Sequence, residues 1–134
     1  MEVEIKLRVP ERRIGKYDWN FQDHLGSGSF AKVFCAKNHE NGEIVAVKSM
    51  HIEDLKSFNL ENNIQNEIAI MKSLNNPNIV ELYEAYMSKK NLYIVMEFCQ
   101  QGDLRKFMKR KGEQGLIPEQ ISLQVLKDIL NGFF

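Results

Sequence analysis

The chain has 134 residues, of which 43% are hydrophobic and 27% are charged. This composition is typical of one folded domain and excludes a wholly disordered chain, which would be poorer in apolar residues. The 18 basic and 18 acidic residues give a net charge of zero, so no general electrostatic affinity for nucleic acid is expected.

The two cysteines, Cys35 and Cys99, lie far apart and form no Cys-x-x-Cys motif. This pattern predicts free thiols in a reducing compartment rather than a disulfide framework or a zinc site. The charged N-terminus lacks the apolar core of a signal peptide, and no apolar run reaches the ~20 residues that span a bilayer. We therefore expect a cytoplasmic protein with no membrane span.

The first half of the chain reads as an arm followed by strands. Apolar and charged residues alternate at the start, but Pro10 and two arginines follow, so we interpret residues 1–16 as a loose N-terminal arm. Residues 19–50 contain β-prone segments separated by a glycine-serine turn and by an Asn-Gly turn. This pattern predicts three consecutive antiparallel strands, the last being a buried run at residues 44–47.

The apolar period then changes. Ile64, Ile68, Met71 and Leu74 recur every three or four residues, which predicts an amphipathic helix that ends before Pro77. Residues 79–86 and 91–98 are predicted to form two further strands. The resulting fold class is α+β, with a five-stranded antiparallel sheet and one packed helix.

Two helices are predicted in the last third of the chain. Asp103 is placed as the N-cap of a short helix that extends to about Lys111. Gly112 and Gly115 form a linker, and Pro118 suits the first turn of a last helix that runs to residue 134.

A glycine-rich segment carries the first chemical signal. Its residues are Gly26, Ser27, Gly28, Ser29, Phe30 and Ala31. Glycine allows backbone amides to approach phosphate oxygens closely, although the same pattern also occurs in a simple hairpin turn. A dinucleotide fingerprint would need a helix directly afterwards, and a Walker A loop would need Gly-Lys-Ser/Thr. Neither is present, so we interpret the segment as a hairpin flap over phosphates.

Lys48 and Glu67 are the second signal. Lys48 follows the apolar strand run and must direct its ammonium group toward something polar. It is either a lysine that extends to solvent or a phosphate ligand beneath the flap. Glu67 lies beside the apolar stripe of the predicted helix, where it is either solvated or paired with Lys48. The predicted arrangement is a Lys48–Glu67 ion pair that aims the ammonium at a nucleotide.

In this order, these residues resemble the small N-terminal lobe of the protein kinases. The resemblance covers residues 17–134 and includes the glycine-rich loop, the Val-Ala-Val-Lys strand that ends at Lys48, and the helix glutamate Glu67. It implies a partial kinase domain after the arm. Residues 17–97 would form the N-lobe, residues 98–103 the hinge, and residues 104–134 the first helices of a truncated C-lobe.

The resemblance also implies ATP and Mg²⁺ as cofactors and assigns roles to single residues. Leu25, Val33 and Ala46 would sandwich the adenine, and Met96 would gate the back pocket. Glu97 and Cys99 would offer hinge backbone groups to the adenine edge, and Asp103 would accept hydrogen bonds from the ribose. Residues 26–30 would cover the phosphates that Lys48 holds. Met71 and Leu82 resemble members of the hydrophobic stack that registers an active helix.

The leading segment around Tyr17 and the hinge sequence most resemble the autophagy-initiating serine/threonine kinases. One departure from the family pattern is Ala31, which stands where the third glycine is usual. That position is the most tolerant of the three, so the departure leaves nucleotide binding expected.

A second departure concerns catalysis. The sequence contains neither His-Arg-Asp, which supplies the catalytic base, nor the magnesium-binding Asp-Phe-Gly. The chain alone is therefore expected to be inactive, with its metal ligands elsewhere. The last helix also has a broad apolar stripe that needs a partner. Its members are Ile121, Val125, Leu126, Ile129, Leu130 and Phe133.

Three function classes remain open. The first is the ATP-binding part of a serine/threonine kinase that phosphorylates protein hydroxyls. The second is a non-catalytic, kinase-like interaction module that binds through its helix or its apolar stripe. The third is a dinucleotide-binding enzyme, which would require a helix at residues 31–37. A basic cluster on the short helix is either a solvated face or a docking site for an acidic partner. It consists of Arg105, Lys106, Lys109, Arg110 and Lys111.

Overall fold

The structure is a computed structural model that describes residues 5–57, 61–111 and 119–133. The described part contains seven strands and four helices. The strands are β1 (Arg12–Ile14), β2 (Tyr17–Trp19), β3 (His24–Ser27), β4 (Ala31–Asn38), β5 (Ile44–His51), β6 (Leu82–Met87) and β7 (Asn91–Glu97). The helices are α1 (Ile52–Ser57), α2 (Glu61–Ser73), α3 (Leu104–Lys111) and α4 (Glu119–Phe133). None of the described helices is both long and apolar enough to cross a membrane.

The chain divides into two compact units. The first comprises Met1–Ser73 and Glu81–Phe98, and the second comprises Leu74–Val80 and Cys99–Phe134. All strands, together with α1 and α2, belong to the first unit. The second unit holds α3 and α4.

One antiparallel sheet organises the first unit. Its strand order is β1-β2-β4-β5-β7-β6, and β3 pairs with β4 beside this path. The Asn-Gly turn connects β4 to β5, where Gly42 adopts a φ of 78° and donates its N–H to the carbonyl oxygen of Asn38 at 2.7 Å. This backbone conformation favours glycine because a Cβ is disfavoured there. The predicted α+β class and the three antiparallel strands of the first half are confirmed.

The strand count and the structure of the arm differ from the prediction. The sheet has seven strands rather than five because the segment before the glycine-rich loop forms β1 and β2, which pair as a hairpin through Gly15 and Lys16. Arg12–Ile14 was expected to lie in a loose arm. It pairs with Tyr17–Trp19, and Arg12 and Arg13 are exposed in this strand while Ile14 packs against the core.

The sheet separates two apolar clusters. Successive side chains of a strand point to opposite faces, so Val45 and Val47 of β5 join one cluster while Met50 joins the other. The first cluster is rich in aromatic residues and includes Trp19, which is only 2% exposed. The second is formed where α2 packs on the sheet through Ile64, Ile68 and Met71.

The amphipathic helix ends close to its predicted boundary. Helix α2 ends at Ser73, before the Asn-Asn-Pro sequence. Leu74, predicted as the last member of the apolar stripe, instead lies beyond the helix and is 41% exposed. The predicted packing of Met71 and Leu82 in one cluster is confirmed.

Helix α3 of the second unit begins as the sequence predicts. The Asp103 side chain accepts a hydrogen bond from the Lys106 N–H at 2.8 Å, which is the bond of an N-cap. Gly102 precedes the cap with a φ of 74°. The predicted linker at Gly112 and Gly115 and the predicted role of Pro118 lie outside the described residues. The last helix is present as Glu119–Phe133.

Candidate functional site

Three neighbouring strands align the glycine-rich hairpin with Lys48. Gly26 of β3 pairs with Val33 of β4, and Val33 pairs in turn with Lys48 of β5. Adjacent strands lie about 4.8 Å apart, so the backbones of Gly26 and Lys48 are roughly 10 Å apart across the sheet. The two separate sequence signals therefore lie in one row of the sheet.

An apolar face lies next to this row. Ala46 is two residues from Lys48 along β5, so both side chains point to the same face. Met96 of β7 pairs with Ala46, and Val33 pairs with Lys48. Val33, Ala46, Lys48 and Met96 therefore share the face of the sheet on which α2 packs. The structure brings together four of the residues predicted to contact a nucleotide.

In the glycine-rich loop, the space beside each of the two glycines is open. A Cβ built on Gly26 or on Gly28 would meet no atom within 4 Å, and neither residue has a positive φ. The fold itself therefore gives no steric reason for glycine at these positions. The Gly28 N–H donates to the Ala31 carbonyl at 2.8 Å, which closes the hairpin. Ser27 and Ser29 are exposed, and Phe30 is partly buried.

Leu25 occupies a special position beside Gly26. The pairing of β3 with β4 shifts register between His24 and Gly26, so Leu25 is the additional residue of a β-bulge. Bulges change the direction of a side chain and often lie beside functional sites. Leu25 is 38% exposed and so has apolar surface that the fold does not cover.

Lys48 of β5 is partly buried. Within the described part of the chain, its ammonium group makes no ion pair or hydrogen bond. Removing an ammonium group from water without a partner is unfavourable. Among the described residues, Lys48 is thus a charged side chain of this face that lacks a binding partner.

The predicted Lys48–Glu67 ion pair is not formed in this structure. The ion pairs among the described residues are Arg8–Asp23, Arg13–Asp18 and Lys16–Glu84. Glu67 is exposed and lies between Ile64 and Ile68 in the helix sequence. Those two residues pack on the same sheet face as Lys48, so Glu67 belongs to the helix that covers that face, although Glu67 itself is exposed.

Residues 97–103 were predicted to contact the adenine and the ribose. The Glu97 N–H already donates to the Glu81 carbonyl at 2.8 Å, and one Glu97 carboxylate oxygen accepts from the Glu81 N–H at 3.1 Å. The Cys99 carbonyl accepts from the Gly102 N–H at 3.0 Å. Within the described residues, the Cys99 N–H has no backbone acceptor. Asp103 is exposed, and its carboxylate caps α3.

Cys35 lies on the same sheet face, beside Ala46. It is buried and carries a free thiol. Burial raises the pKa of the Cys35 thiol, and the negative charge of Asp23 raises it further. The thiol therefore remains protonated and behaves as a small apolar group in the wall of this face.

Helix α4 presents the apolar stripe that the sequence predicts. Leu126, Ile129 and Leu130 are each about half exposed, and Phe133 is 81% exposed. Ile121 and Val125 are partly buried. In α3, Arg105, Lys106 and Lys109 are exposed, whereas the Arg110 guanidinium donates to the Gln101 carbonyl. No cluster of three or more potential metal ligands occurs in residues 5–57, 61–111 and 119–133.

Sequence reasoning missed the residues that precede the glycine-rich strand. Asp23 is contacted by Arg8 of the arm, and its side chain is 7% exposed. Its burial was not visible in the sequence because Gln22 and Asp23 resemble ordinary turn residues. The signal that was available is the β-prone pattern of Ile14, Tyr17 and Trp19 around Gly15, which indicates a hairpin.

Comparison with known families decides what kind of domain carries these features. Residues 19–133 match the protein kinase domain. The chain belongs to the protein kinase family. The match spans the glycine-rich hairpin, Lys48, α2 and residues 97–103, so the family match and the observed sheet agree on the same fold.

Individual relatives are serine/threonine and Aurora kinases. The chain is 46% identical over 94 residues to CBL-interacting serine/threonine-protein kinase 26 of Arabidopsis thaliana, covering 70% of this chain and 21% of that protein. It is 38% identical over 106 residues to serine/threonine-protein kinase atg1 of Penicillium rubens, covering 79% and 11%. It is 33% identical over 103 residues to an Aurora kinase of Eremothecium gossypii, covering 77% and 26%.

The kinase chain thus spans about a tenth to a quarter of the length of these relatives. They include an atg1 kinase, but they also represent two other kinds of kinase. The kinase family is therefore confirmed, while the resemblance to the autophagy-initiating kinases stays a prediction.

Proposed function

We propose that this chain is the ATP-binding part of a serine/threonine protein kinase, which transfers the γ-phosphoryl group of ATP to protein hydroxyls. The observation that carries the proposal is the Lys48 ammonium, which has no partner among the described residues and lies in one row with Gly26, beside the apolar face of Val33 and Ala46. A cation beside an apolar surface suits a ligand with a flat apolar base at one end and phosphates at the other.

Different residues of this chain bind different parts of ATP. The backbone of residues 26–30 covers the phosphates, since the open glycine positions allow close approach. Leu25, Val33 and Ala46 enclose the adenine, and Met96 lines the back of the pocket. The Glu97 carbonyl and the Cys99 N–H pair with the adenine edge, and Asp103 accepts from the ribose hydroxyls.

Lys48 and Glu67 are the charged side chains that act on the phosphates in this proposed site. Lys48 attracts and orients the phosphates, and Glu67 pairs with Lys48 when α2 moves its exposed carboxylate toward the sheet. Mg²⁺ neutralises phosphate charge in this family. Since the sequence has no His-Arg-Asp or Asp-Phe-Gly, the catalytic base and the metal ligands are residues other than these 134. The free thiols of Cys35 and Cys99 favour a cytoplasmic location.

The test is Lys48→Ala in the full natural protein that contains this chain. Loss of an electrostatic contact to the reacting group costs roughly 10²- to 10³-fold in kcat, and we expect a loss of this order in phosphotransfer. Lys72→Ala serves as a matched control because Lys72 is an exposed lysine of α2. Unchanged phosphotransfer by Lys48→Ala would contradict the assignment.

The exposed stripe of α4 favours a second candidate, a non-catalytic kinase-like interaction module. Leu126, Ile129 and Phe133 expose apolar surface that a partner could cover. The intact mass of the native protein separates the two functions. A native product of 15.6 kDa that is monodisperse and transfers no phosphate supports the module, and a larger product with phosphotransfer supports the kinase.

A further inference from the structure

The arm that precedes the sheet is attached to the turn before the glycine-rich strand. Arg8 provides the strongest attachment. Its backbone N–H donates to Asp23 Oδ2 at 3.0 Å, and its guanidinium Nη1 lies 2.5 Å from Asp23 Oδ1. The same nitrogen lies 3.5 Å from the Gln22 carbonyl oxygen. Backbone and side chain of one residue therefore hold both oxygens of a single carboxylate.

Further hydrogen bonds extend this attachment along the arm. Asn20 Nδ2 donates to the Val9 carbonyl at 2.7 Å, and the Glu11 N–H donates to the Trp19 carbonyl at 2.9 Å. The Gln22 N–H donates to Asn20 Oδ1 at 2.8 Å, which fixes the turn itself. Residues 8–11 are thus bonded to residues 19–23 at several points, rather than being a free tail.

Asp23 links the arm to the phosphate loop. It directly precedes His24, the first residue of β3, and its carbonyl accepts from the Cys35 N–H of β4 at 2.8 Å. The bulge at Leu25 and the hairpin of residues 26–31 follow immediately. Because the Asp23 side chain is only 7% exposed, its charge depends on the Arg8 guanidinium for compensation.

We propose that Arg8 and Asp23 form a positioning pair that fixes the base of the glycine-rich hairpin, so that the N-terminal arm tunes nucleotide affinity. The nucleotide part of this inference rests on the proposed function, whereas the mechanical part does not. The tip of the hairpin has open space around Gly26 and Gly28, so its position depends on the point where β3 begins. Arg8 and Asp23 act through the loop backbone and do not touch the reacting atoms.

The protein contains a closely matched control. Arg13 and Asp18 form a second pair of an exposed arginine with a buried aspartate. Side-chain exposures are 63% and 8% in that pair, against 55% and 7% for Arg8 and Asp23. The control pair lies within the β1–β2 hairpin and makes no bond to the turn before β3. Arg13→Ala therefore removes a similar charge and a similar ion pair without releasing the base of the loop.

The experiment compares Arg8→Ala with Arg13→Ala in the full natural protein. Hydrogen exchange of amides 24–34 is measured without nucleotide, and the Kd of a fluorescent ATP analogue is measured separately. Loss of charge-assisted hydrogen bonds raises local opening by roughly tenfold. We expect Arg8→Ala to exchange about that much faster in this segment and to bind the analogue several-fold more weakly, with exchange of β5 and β7 unchanged. Arg13→Ala should match the wild type in both measurements.

Two further variants establish that the pair acts as a unit. Asp23→Asn keeps the shape and removes the charge, and combined with Arg8→Ala it should add little to either single effect. Arg8→Lys should restore part of the protection that Arg8→Ala loses, because it keeps the positive charge beside Asp23.

Equal exchange in Arg8→Ala and Arg13→Ala overturns the inference, as does an increase spread evenly over the sheet. Unchanged affinity in Arg8→Ala, with wild-type binding intact, also overturns it. If the wild type itself binds no analogue, the proposed function fails. The exchange comparison then still decides whether the arm fixes the hairpin.

Discussion

The ring of Tyr17 meets the ring of Tyr86 edge-on, with 6.4 Å between their centroids. Tyr17 lies in β2 and Tyr86 in β6, and three strands separate β2 from β6 in the sheet. The sheet must therefore curl until its two sides approach. An ion pair of 3.5 Å between Lys16 and Glu84 lies along the same seam. The curl encloses the aromatic cluster around Trp19 and makes the β1–β2 hairpin part of the core.

Gly15 is the position where this seam is most sensitive. Its φ is +57°, and a Cβ there would lie 2.6 Å from the Tyr86 hydroxyl oxygen. An L-residue in this backbone region costs about 1–2 kcal/mol. The Tyr86 hydroxyl donates a hydrogen bond to the Glu84 carboxylate, and displacing Tyr86 breaks this bond for about 1 kcal/mol more. We expect Gly15→Ala to lower the free energy of unfolding by roughly 2–3 kcal/mol in urea denaturation.

Gly42→Ala separates the two contributions. Gly42 has a φ of +78°, but a Cβ there would only approach Lys37 at 3.8 Å. Gly42→Ala therefore incurs the cost of the backbone conformation without a collision like that of Gly15→Ala with Tyr86. If Gly15→Ala is no more destabilising than Gly42→Ala, the packing of Tyr86 against the hairpin contributes nothing.

Tyr86 should give the seam a dependence on alkaline pH. The hydrogen bond to Glu84 raises the pKa of Tyr86 from 10.0 to about 12, with burial contributing next. The folded state thus holds this proton more tightly than the unfolded chain. The resulting stabilisation is fully present below pH 10 and is lost as pH rises toward 12.

Tyr86→Phe tests this dependence against Tyr83→Phe. We expect Tyr86→Phe to lose about 1 kcal/mol of stability at neutral pH and to converge with the wild type as pH rises through the tyrosine range. Tyr83 is partly buried, but its hydroxyl has no hydrogen-bond partner in the described part of the chain. Tyr83→Phe should therefore change stability little at neutral pH. If the free energies of unfolding of Tyr86→Phe and wild type differ by the same amount at every pH, the Tyr86–Glu84 hydrogen bond is excluded as the source of that difference.

Most of the sheet could be predicted because its signals are local. Three local patterns each predict the structure of their own segment. They are the Asn-Gly turn before β5, the apolar run of Val45 to Val47, and the helical period of Ile64 and Ile68. The alignment of Lys48 with Gly26 follows from strand pairing, which the short connections between β3, β4 and β5 made predictable.

The seam and the arm could not be predicted in this way. Tyr17 and Tyr86 are far apart in the chain, and no local sequence pattern predicts the curl of the sheet that brings them together. The Arg8–Asp23 contact joins residues 15 positions apart in the chain, and no periodic pattern predicts such a pairing. The Lys48–Glu67 pair failed to appear for a related reason. Helical period fixes where Glu67 lies around α2, but not how closely its carboxylate approaches the sheet.

The two thiols should differ sharply in reactivity. Cys99 is exposed, whereas Cys35 is buried and burial raises the pKa of its thiol. Only the thiolate attacks a disulfide reagent, so one thiol per chain should react rapidly at pH 8 and the second only on unfolding. Cys99→Ser should remove the fast phase in a time course with Ellman's reagent. A fast phase that persists in Cys99→Ser would contradict the buried position of Cys35.

Asp103 has two roles that substitution can separate. It caps α3 through the Lys106 N–H, and the proposed function gives it the ribose hydroxyls as well. Loss of an N-cap costs about 1 kcal/mol, whereas Asn caps as well as Asp. We expect Asp103→Ala to increase hydrogen exchange in the first turn of α3 and to weaken ATP binding, and Asp103→Asn to preserve the helix. Because an amide oxygen accepts less strongly than a carboxylate, Asp103→Asn should still bind ATP more weakly. If Asp103→Asn binds ATP as the wild type does, the carboxylate serves the helix alone.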